Sequence, residues 1–308
     1  MPSWNDLLTE FKGQPDDETR GAWLPGRLLS ALQSIAMLRS NRNVLLYATA
    51  FLQKPQLPGM FTGITSEDMN GLMSVIYGMD CSKGLTLVLH TPGGSINAAE
   101  SLVAYLRSKF GTDIETIVPA LAMSAGTMIS LSSKRVVMGR QSQLGPIDPQ
   151  LVVGNRQMSA TGIVEQFEEA KRDILQDTTL AHLWAPVLQA HGPSLLVEAR
   201  HALEYGERMV AGWLESGMFE GNAKGKALAK KVAKHFNDAT AHKSHGRRID
   251  IAEAAKIGVV TEVLEDDQSL QEAVLTAYHL ATIIFEHSPT AKVLHTSHGR
   301  SWYKNHST

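Results

Sequence analysis

The chain has 308 residues, 43% of them hydrophobic, enough to bury a large core as one big domain or two smaller ones. Lysine and arginine total 29 against 31 aspartates and glutamates, and the resulting net charge of -2 argues against a polyanionic partner such as nucleic acid. Cys81 is the single cysteine, which excludes an intrachain disulfide and a cysteine-rich zinc site and fits a reducing, cytoplasmic compartment.

The first twenty residues, MPSWNDLLTEFKGQPDDETR, lack the basic-then-apolar order of a secretory signal. Residues 3–12 read as a short helix broken by Pro15-Asp16-Asp17, and Leu28, Leu29, Leu32, Ile35, Ala36 and Leu38 mark a second one. Asn43 to Phe51 reads as a buried strand, and Gln53 to Gly63, with two prolines and two glycines, as a loop. A helix is expected from Ser66, with Ser66 as its cap and Glu67 and Asp68 at its positive end.

Leu85 to Leu89 is a strand leading into Thr91-Pro92-Gly93-Gly94-Ser95, after which Ser95 to Phe110 is an amphipathic helix. Ile114 to Val118 is another strand, leading into Ala122-Met123-Ser124-Ala125-Gly126 and a helix to about Ser132. The interval 114–132 is apolar, yet Glu115, Pro119, Ser124, Gly126 and Thr127 divide it into strand, turn and helix, so no membrane span is expected and the chain reads as soluble. Lys134 to Met138 is a further strand; this alternation is the α/β signature with right-handed crossovers.

Past Pro149 the pattern turns helical: Thr161 to Gln176, Thr178 to His191, Ser194 to Ser216 and Ala223 to His235. Asn237 to Arg248 is a polar loop holding His242 and His245, Ile251 to Ile257 a helix stopped by Gly258, Val259 to Val263 a last strand, and Ser269 to Phe285 a last helix. From His287 onward the chain is polar and expected to be a flexible tail.

Two parallel strands bring the two glycine-bearing turns to one edge of a sheet. Ser124 offers a hydroxyl on a tight turn flanked by small residues; the plainer alternative is a serine that caps a helix. Gly93 and Gly94 let a substrate main chain approach while their N–H groups point outward, although the same pair also serves as an ordinary stop after a strand. A phosphate cradle is disfavoured, because no Gly-Lys-Ser/Thr ending follows and no third glycine stands at dinucleotide spacing. Both turns together point to an oxyanion hole beside a nucleophile.

A serine hydroxyl needs a base. Lys171 lies on the stripe Val164, Phe167, Ile174, where an ammonium facing an apolar interior would lose hydration and its proton; the alternative is a lysine whose stem packs while its charge reaches water. His182, His191, His201, His235 and His279 lie in polar or amphipathic helices and read as surface residues, His242 and His245 as better candidates for binding, and Asp148 as a turn residue that could line the cleft. No HExxH motif or His/Asp cluster stands out, so neither metal nor cofactor is expected.

Strand, Thr-Pro-Gly-Gly-Ser, helix, strand, Ala-Met-Ser-Ala-Gly, helix and Gln-Leu-Gly-Pro-Ile-Asp-Pro-Gln together resemble the Clp-protease/crotonase-fold serine peptidases, most closely the serine dehydrogenase proteinase branch beside signal peptide peptidase A. The resemblance covers about residues 43–265, and the expected organisation is an N-terminal helical extension over 1–42, a ClpP/crotonase-like peptidase domain over 43–286 and the tail over 287–308. It implies Ser124 as nucleophile, and Gly93 or Gly94 with Ala125 as oxyanion donors. Where Clp subunits have a catalytic histidine this chain has Asp148, so the histidine triad is expected to be absent; signal peptide peptidase A relatives use a helical lysine, which matches Lys171. The expectation is therefore an ATP-independent serine endopeptidase with a Ser-Lys dyad, acting on protein or peptide substrates as a homo-oligomer. The alternatives are a crotonase-fold acyl-CoA enzyme and a non-catalytic oligomeric scaffold.

Overall fold

A computed structural model describes residues 3–306 except 155, 191 and 193. The strands are β1 (Asn43–Thr49), β2 (Leu85–His90), β3 (Ile114–Val118), β4 (Leu121–Ala122), β5 (Val136–Met138), β6 (Gln143–Leu144), β7 (Gln150–Val153), β8 (Arg156–Ser159), β9 (Thr261–Val263), β10 (Thr290–Thr296) and β11 (Ser301–Asn305). The helices are α1 (Trp4–Lys12), α2 (Asp17–Leu38), α3 (Gly59–Thr62), α4 (Asp68–Ile76), α5 (Ile96–Phe110), α6 (Ala125–Leu131), α7 (Ala160–Gln176), α8 (Ala181–Gln189), α9 (Leu195–Ser216), α10 (Gly225–Asn237), α11 (Ala239–His242), α12 (Ile251–Ile257) and α13 (Gln268–His287).

The central sheet runs β11-β10-β1-β2-β3-β5-β9, with β1, β2, β3, β5 and β9 parallel and β10 and β11 antiparallel. Its inner strands are apolar on both faces because both faces are covered. Val44, Leu46, Ala48, Val88, Ile117 and Val137 pack with α2 and α13 on one side. Leu45, Leu85, Leu87, Leu89, Ile114 and Val136 pack with α4, α5, α6, α9 and α10 on the other. The parallel register Leu87↔Thr116 and Val88↔Ile117 places the ends of β2 and β3, and hence both glycine turns, at one edge.

The tail is where the structure departs most from expectation. Residues 290–296 form a strand of the sheet: β10 pairs antiparallel with β1 over Leu45↔Thr296 to Thr49↔Lys292 and is buried throughout, with β11 as the edge strand beyond it. Its polar side chains find partners inside the protein, so polarity here does not signal exposure. Residues 3–38, in turn, do not stand apart from the sheet: Leu24, Leu28, Leu32 and Ile35 of α2 are core residues under it.

Smaller departures have local causes. Helix α4 starts at Asp68 with no side-chain cap bond from Ser66; instead the Asp68 carboxylate accepts the Thr65 N–H at 2.9 Å. Asp16, taken as part of a helix break, caps α2 by accepting the Thr19 N–H at 2.7 Å. The β7–β8 hairpin fills an interval with no strand expectation, and its Leu151, Val153 and Met158 close a small separate cluster around Ala160, Ile163, Leu195 and Ala199 of α7 and α9. The expected helix from Thr178 continues as α8 to Gln189, and its expected end at His191 lies outside the described residues.

Candidate active site

The Ser124 turn is tied down from several directions. Thr91 N–H donates to Leu121 O at 2.9 Å and Met123 N–H to Thr91 O at 3.0 Å, so the chain beyond β3 runs alongside the chain beyond β2. Thr127 Oγ1 donates to Ala122 O at 2.7 Å and accepts the Gly145 N–H at 2.8 Å, which draws in the segment leading to Asp148. Within this frame Ser124 takes φ 51° and ψ -117°, a conformation costing about 1–3 kcal/mol that persists only because the surroundings over-determine it. The serine makes no cap hydrogen bond to α6, so the plain N-cap reading fails, and the half-buried hydroxyl is left to the cleft.

The glycine turn is packed directly against this serine. A Cβ on Gly93 would lie 2.7 Å from Ser124 Cβ and 2.6 Å from Met123 O, and one on Gly94 would lie 2.4 Å from Ile64 N, so only glycine fits at either place. Gly93 N–H donates to Thr91 Oγ1 at 3.2 Å. Gly94 N–H and Ala125 N–H have no hydrogen-bond partner among the described residues.

Asp148 lines a cavity of about 590 Å³ together with Gly94, Ser95, Ser124, Tyr205 and His245, among others. It is 1% exposed, and its carboxylate accepts the His245 Nδ1–H at 2.7 Å, Gln150 Nε2–H at 2.8 Å and the Ser159 hydroxyl at 3.0 Å. With Nδ1 protonated and bound to a carboxylate, neutral His245 has its lone pair on Nε2. No hydrogen bond links the Ser124 hydroxyl to another described residue, and serine and imidazole line the same cavity.

His245 reaches Asp148 because the bridge between Leu144 and Ile249 folds the late loop onto the Gly145–Asp148 segment: Leu144 N–H to Ile249 O at 2.9 Å and the reverse bond at 2.8 Å. Arg247 anchors the same loop, donating to Glu253 at 2.7 and 2.9 Å and to His242 Nδ1 at 2.8 Å. His235, His242 and Glu253 have ligand atoms within 4.8 Å of one another. His242 and Glu253 already hold the Arg247 guanidinium, His242 Nε2–H donates to His235 O at 2.7 Å and His235 Nε2 lies 3.4 Å from Glu253 Oε1, so these atoms are engaged in anchoring the loop.

Lys171 does not meet Ser124. It is exposed on α7 and does not line the cavity. The buried stripe of that helix is Ala160, Ile163, Ala170 with half-buried Phe167 and Ile174, and Lys171 stands one residue, about 100°, around from it. A histidine does stand beside Asp148: His245, supplied from a loop 97 residues away. The signal available in the sequence was a histidine in a polar loop, a common place for functional residues, but nothing local ties it to Asp148.

The sequence model of the ClpP-like SDH-type serine proteinases matches residues 34–188, an interval with both glycine turns, Ser124 and Asp148 but not His245. Two uncharacterised proteins of Methanocaldococcus jannaschii are similar: one is 36% identical over 117 residues, covering 38% of this chain and 39% of that protein, the other 29% identical over 171 residues, covering 55% and 51%. The chain thus spans about half or less of these relatives' lengths. Among solved structures, a mutant of the 1510-N membrane-bound stomatin-specific protease superposes with a TM-score of 0.38 at 18% identity, covering 65% of this chain and 74% of that one. No helix among the described residues is long and apolar enough to cross a membrane.

Proposed function

The chain belongs to the ClpP-like SDH-type serine proteinases, and from that premise we propose that it hydrolyses peptide bonds with Ser124 as nucleophile, His245 as general base and Asp148 as the group that orients the imidazole. The observation that carries this reading is the hydrogen bond from His245 to buried Asp148, on the same cavity as a serine whose backbone is strained and whose side chain caps nothing.

In the proposed reaction Ser124 Oγ attacks the scissile carbonyl carbon while His245 Nε2 takes its proton, and the Asp148 carboxylate supports the imidazolium through the Nδ1–H bond. The carbonyl oxygen becomes an oxyanion held by the N–H groups of Gly94 and Ala125, with Gly93 giving the clearance that lets a peptide lie against Ser124. Collapse of the tetrahedral intermediate breaks the C–N bond, the leaving amine takes the proton from His245, and water, deprotonated by the same imidazole, releases the acyl group. The substrates are proteins or peptides, no nucleotide is required, and the working form is a cytoplasmic homo-oligomer.

The test is fluorophosphonate labelling and peptide hydrolysis by the wild type and by Ser124→Ala, His245→Ala and Lys171→Ala. Wild-type labelling at Ser124, lost in the first two variants and kept in the third, is expected. Labelling lost in Lys171→Ala but kept in His245→Ala would return the base to the lysine, and equal labelling of Ser124→Ala would sink the peptidase reading.

A further inference from the structure

We propose that the buried ion pair between Lys292 and Asp68 positions the Gly93–Gly94 turn through the segment 63–65, and so sets where the oxyanion donor stands. The inference rests on the peptidase reading for its catalytic consequence. Its geometric half stands alone.

Both side chains are 0% exposed, an arrangement that persists only when every donor and acceptor is matched. Lys292 Nζ donates to Asp68 Oδ1 and to Gly63 O at 2.7 Å, and lies 5.6 Å from the centre of the Tyr47 ring. Burial pushes the lysine's proton affinity down and the Asp68 charge pulls it back up. Asp68 Oδ2 accepts the Tyr47 hydroxyl at 2.7 Å and the Thr65 N–H at 2.9 Å. Two of the pair's partners are therefore main-chain groups of one short segment, gripped on either side of Ile64.

Ile64 in turn grips the glycine turn. Its N–H donates to Gly93 O at 2.7 Å, and Ser95 N–H donates to its carbonyl at 2.9 Å, a parallel bridge that turns the Gly94 N–H to the opposite side. The Gly94 backbone lies so close to Ile64 that the two cannot shift independently. An apolar pair would fill the same space at no loss of burial; what the ions add is direction, since each of their bonds ends at a fixed point of the segment supporting the oxyanion turn. Positional error of about 1 Å in such a group costs on the order of a hundredfold in rate.

The experiment compares full-length wild type with Asp68→Asn/Lys292→Met, which removes both charges together, and with Tyr47→Phe, which removes one hydrogen bond and serves if the double variant fails to fold. Thermal unfolding confirms folding; kcat and KM for peptide hydrolysis, and amide exchange at Ile64 and Ser95, are then measured. The double variant is expected to lose about ten- to a hundredfold in kcat with KM changed less than about threefold, and to exchange faster at both amides, with Tyr47→Phe shifted the same way by less. Wild-type kcat and protection in a folded double variant, or in Tyr47→Phe when only that folds, would overturn the proposal. A wild type that is not labelled at Ser124 sinks the peptidase reading instead, and the exchange rates still decide whether the pair holds the turn.

Discussion

His245 Nδ1–H donates to Asp148 Oδ1 at 2.7 Å, across 97 residues of chain, and the carboxylate that receives it is buried. The pairing predicts how Asp148→Asn behaves. An amide leaves the shape intact but can present its N–H₂ to the imidazole, favouring the tautomer whose Nε2 is protonated and cannot act as a base. A loss of about 10³- to 10⁴-fold in kcat with little change in melting temperature is expected from steady-state kinetics and calorimetry, while Lys171→Ala stays within about twofold of wild type.

Gly93→Ala is expected to destroy activity and also to destabilise. The residue has φ 98°, and the added methyl would sit 2.6 Å from Met123 O, so the turn must move away from Ser124. A cost of about 1–3 kcal/mol in denaturant unfolding, together with lost fluorophosphonate labelling, is the expected pair of results.

Glu115 is buried on β3. Desolvation alone would raise its pKa, but Arg39 at 2.8 Å, Thr86 at 2.7 Å and Arg135 at 2.9 Å outweigh that and hold it at about 2. Because the folded pKa lies below the unfolded one, the stability it contributes is complete above about pH 4.5 and disappears as pH falls toward 2, a difference of about 3 kcal/mol. Arg39→Met removes one of its charged partners while Thr86 and Arg135 remain, and is expected to cost about 1.5–3 kcal/mol at neutral pH by urea titration.

His90, at the end of β2 just before the glycine turn, is packed between Phe51 and Tyr278 with ring centres at 4.9 and 4.8 Å. Desolvation pushes its pKa down to about 4. Protons therefore bind the unfolded chain first: stability is full above about pH 6.5 and falls as pH drops toward 4, by about 3 kcal/mol. His90→Gln has no proton to bind in that window, so a melting-temperature profile that is flatter than wild type between pH 6.5 and 4 is expected; identical slopes would remove His90 as the cause.

Much of this molecule follows from short-range pattern. Continuous apolar runs such as Leu85 to Leu89 mark strands buried on both faces, and the glycines after β2 and in the Ser124 turn mark the places where backbone must pass close to backbone. That information is local, so the α/β architecture, the shared edge of the two turns and Ser124 as their centre can all be derived from the amino-acid order. Helical periodicity is local too, but one residue shifts a side chain by about 100°, and that step separates exposed Lys171 from buried Ala170. The polar segment 290–296 shows the opposite limit: its burial depends on pairing with β1, and Lys292 finds its countercharge 224 residues earlier in the chain. The partner of Asp148 is a matter of tertiary structure in the same sense. The bridge between Leu144 and Ile249 decides which loop meets the carboxylate, and hydrogen bonds across such separations leave no period or spacing in the sequence.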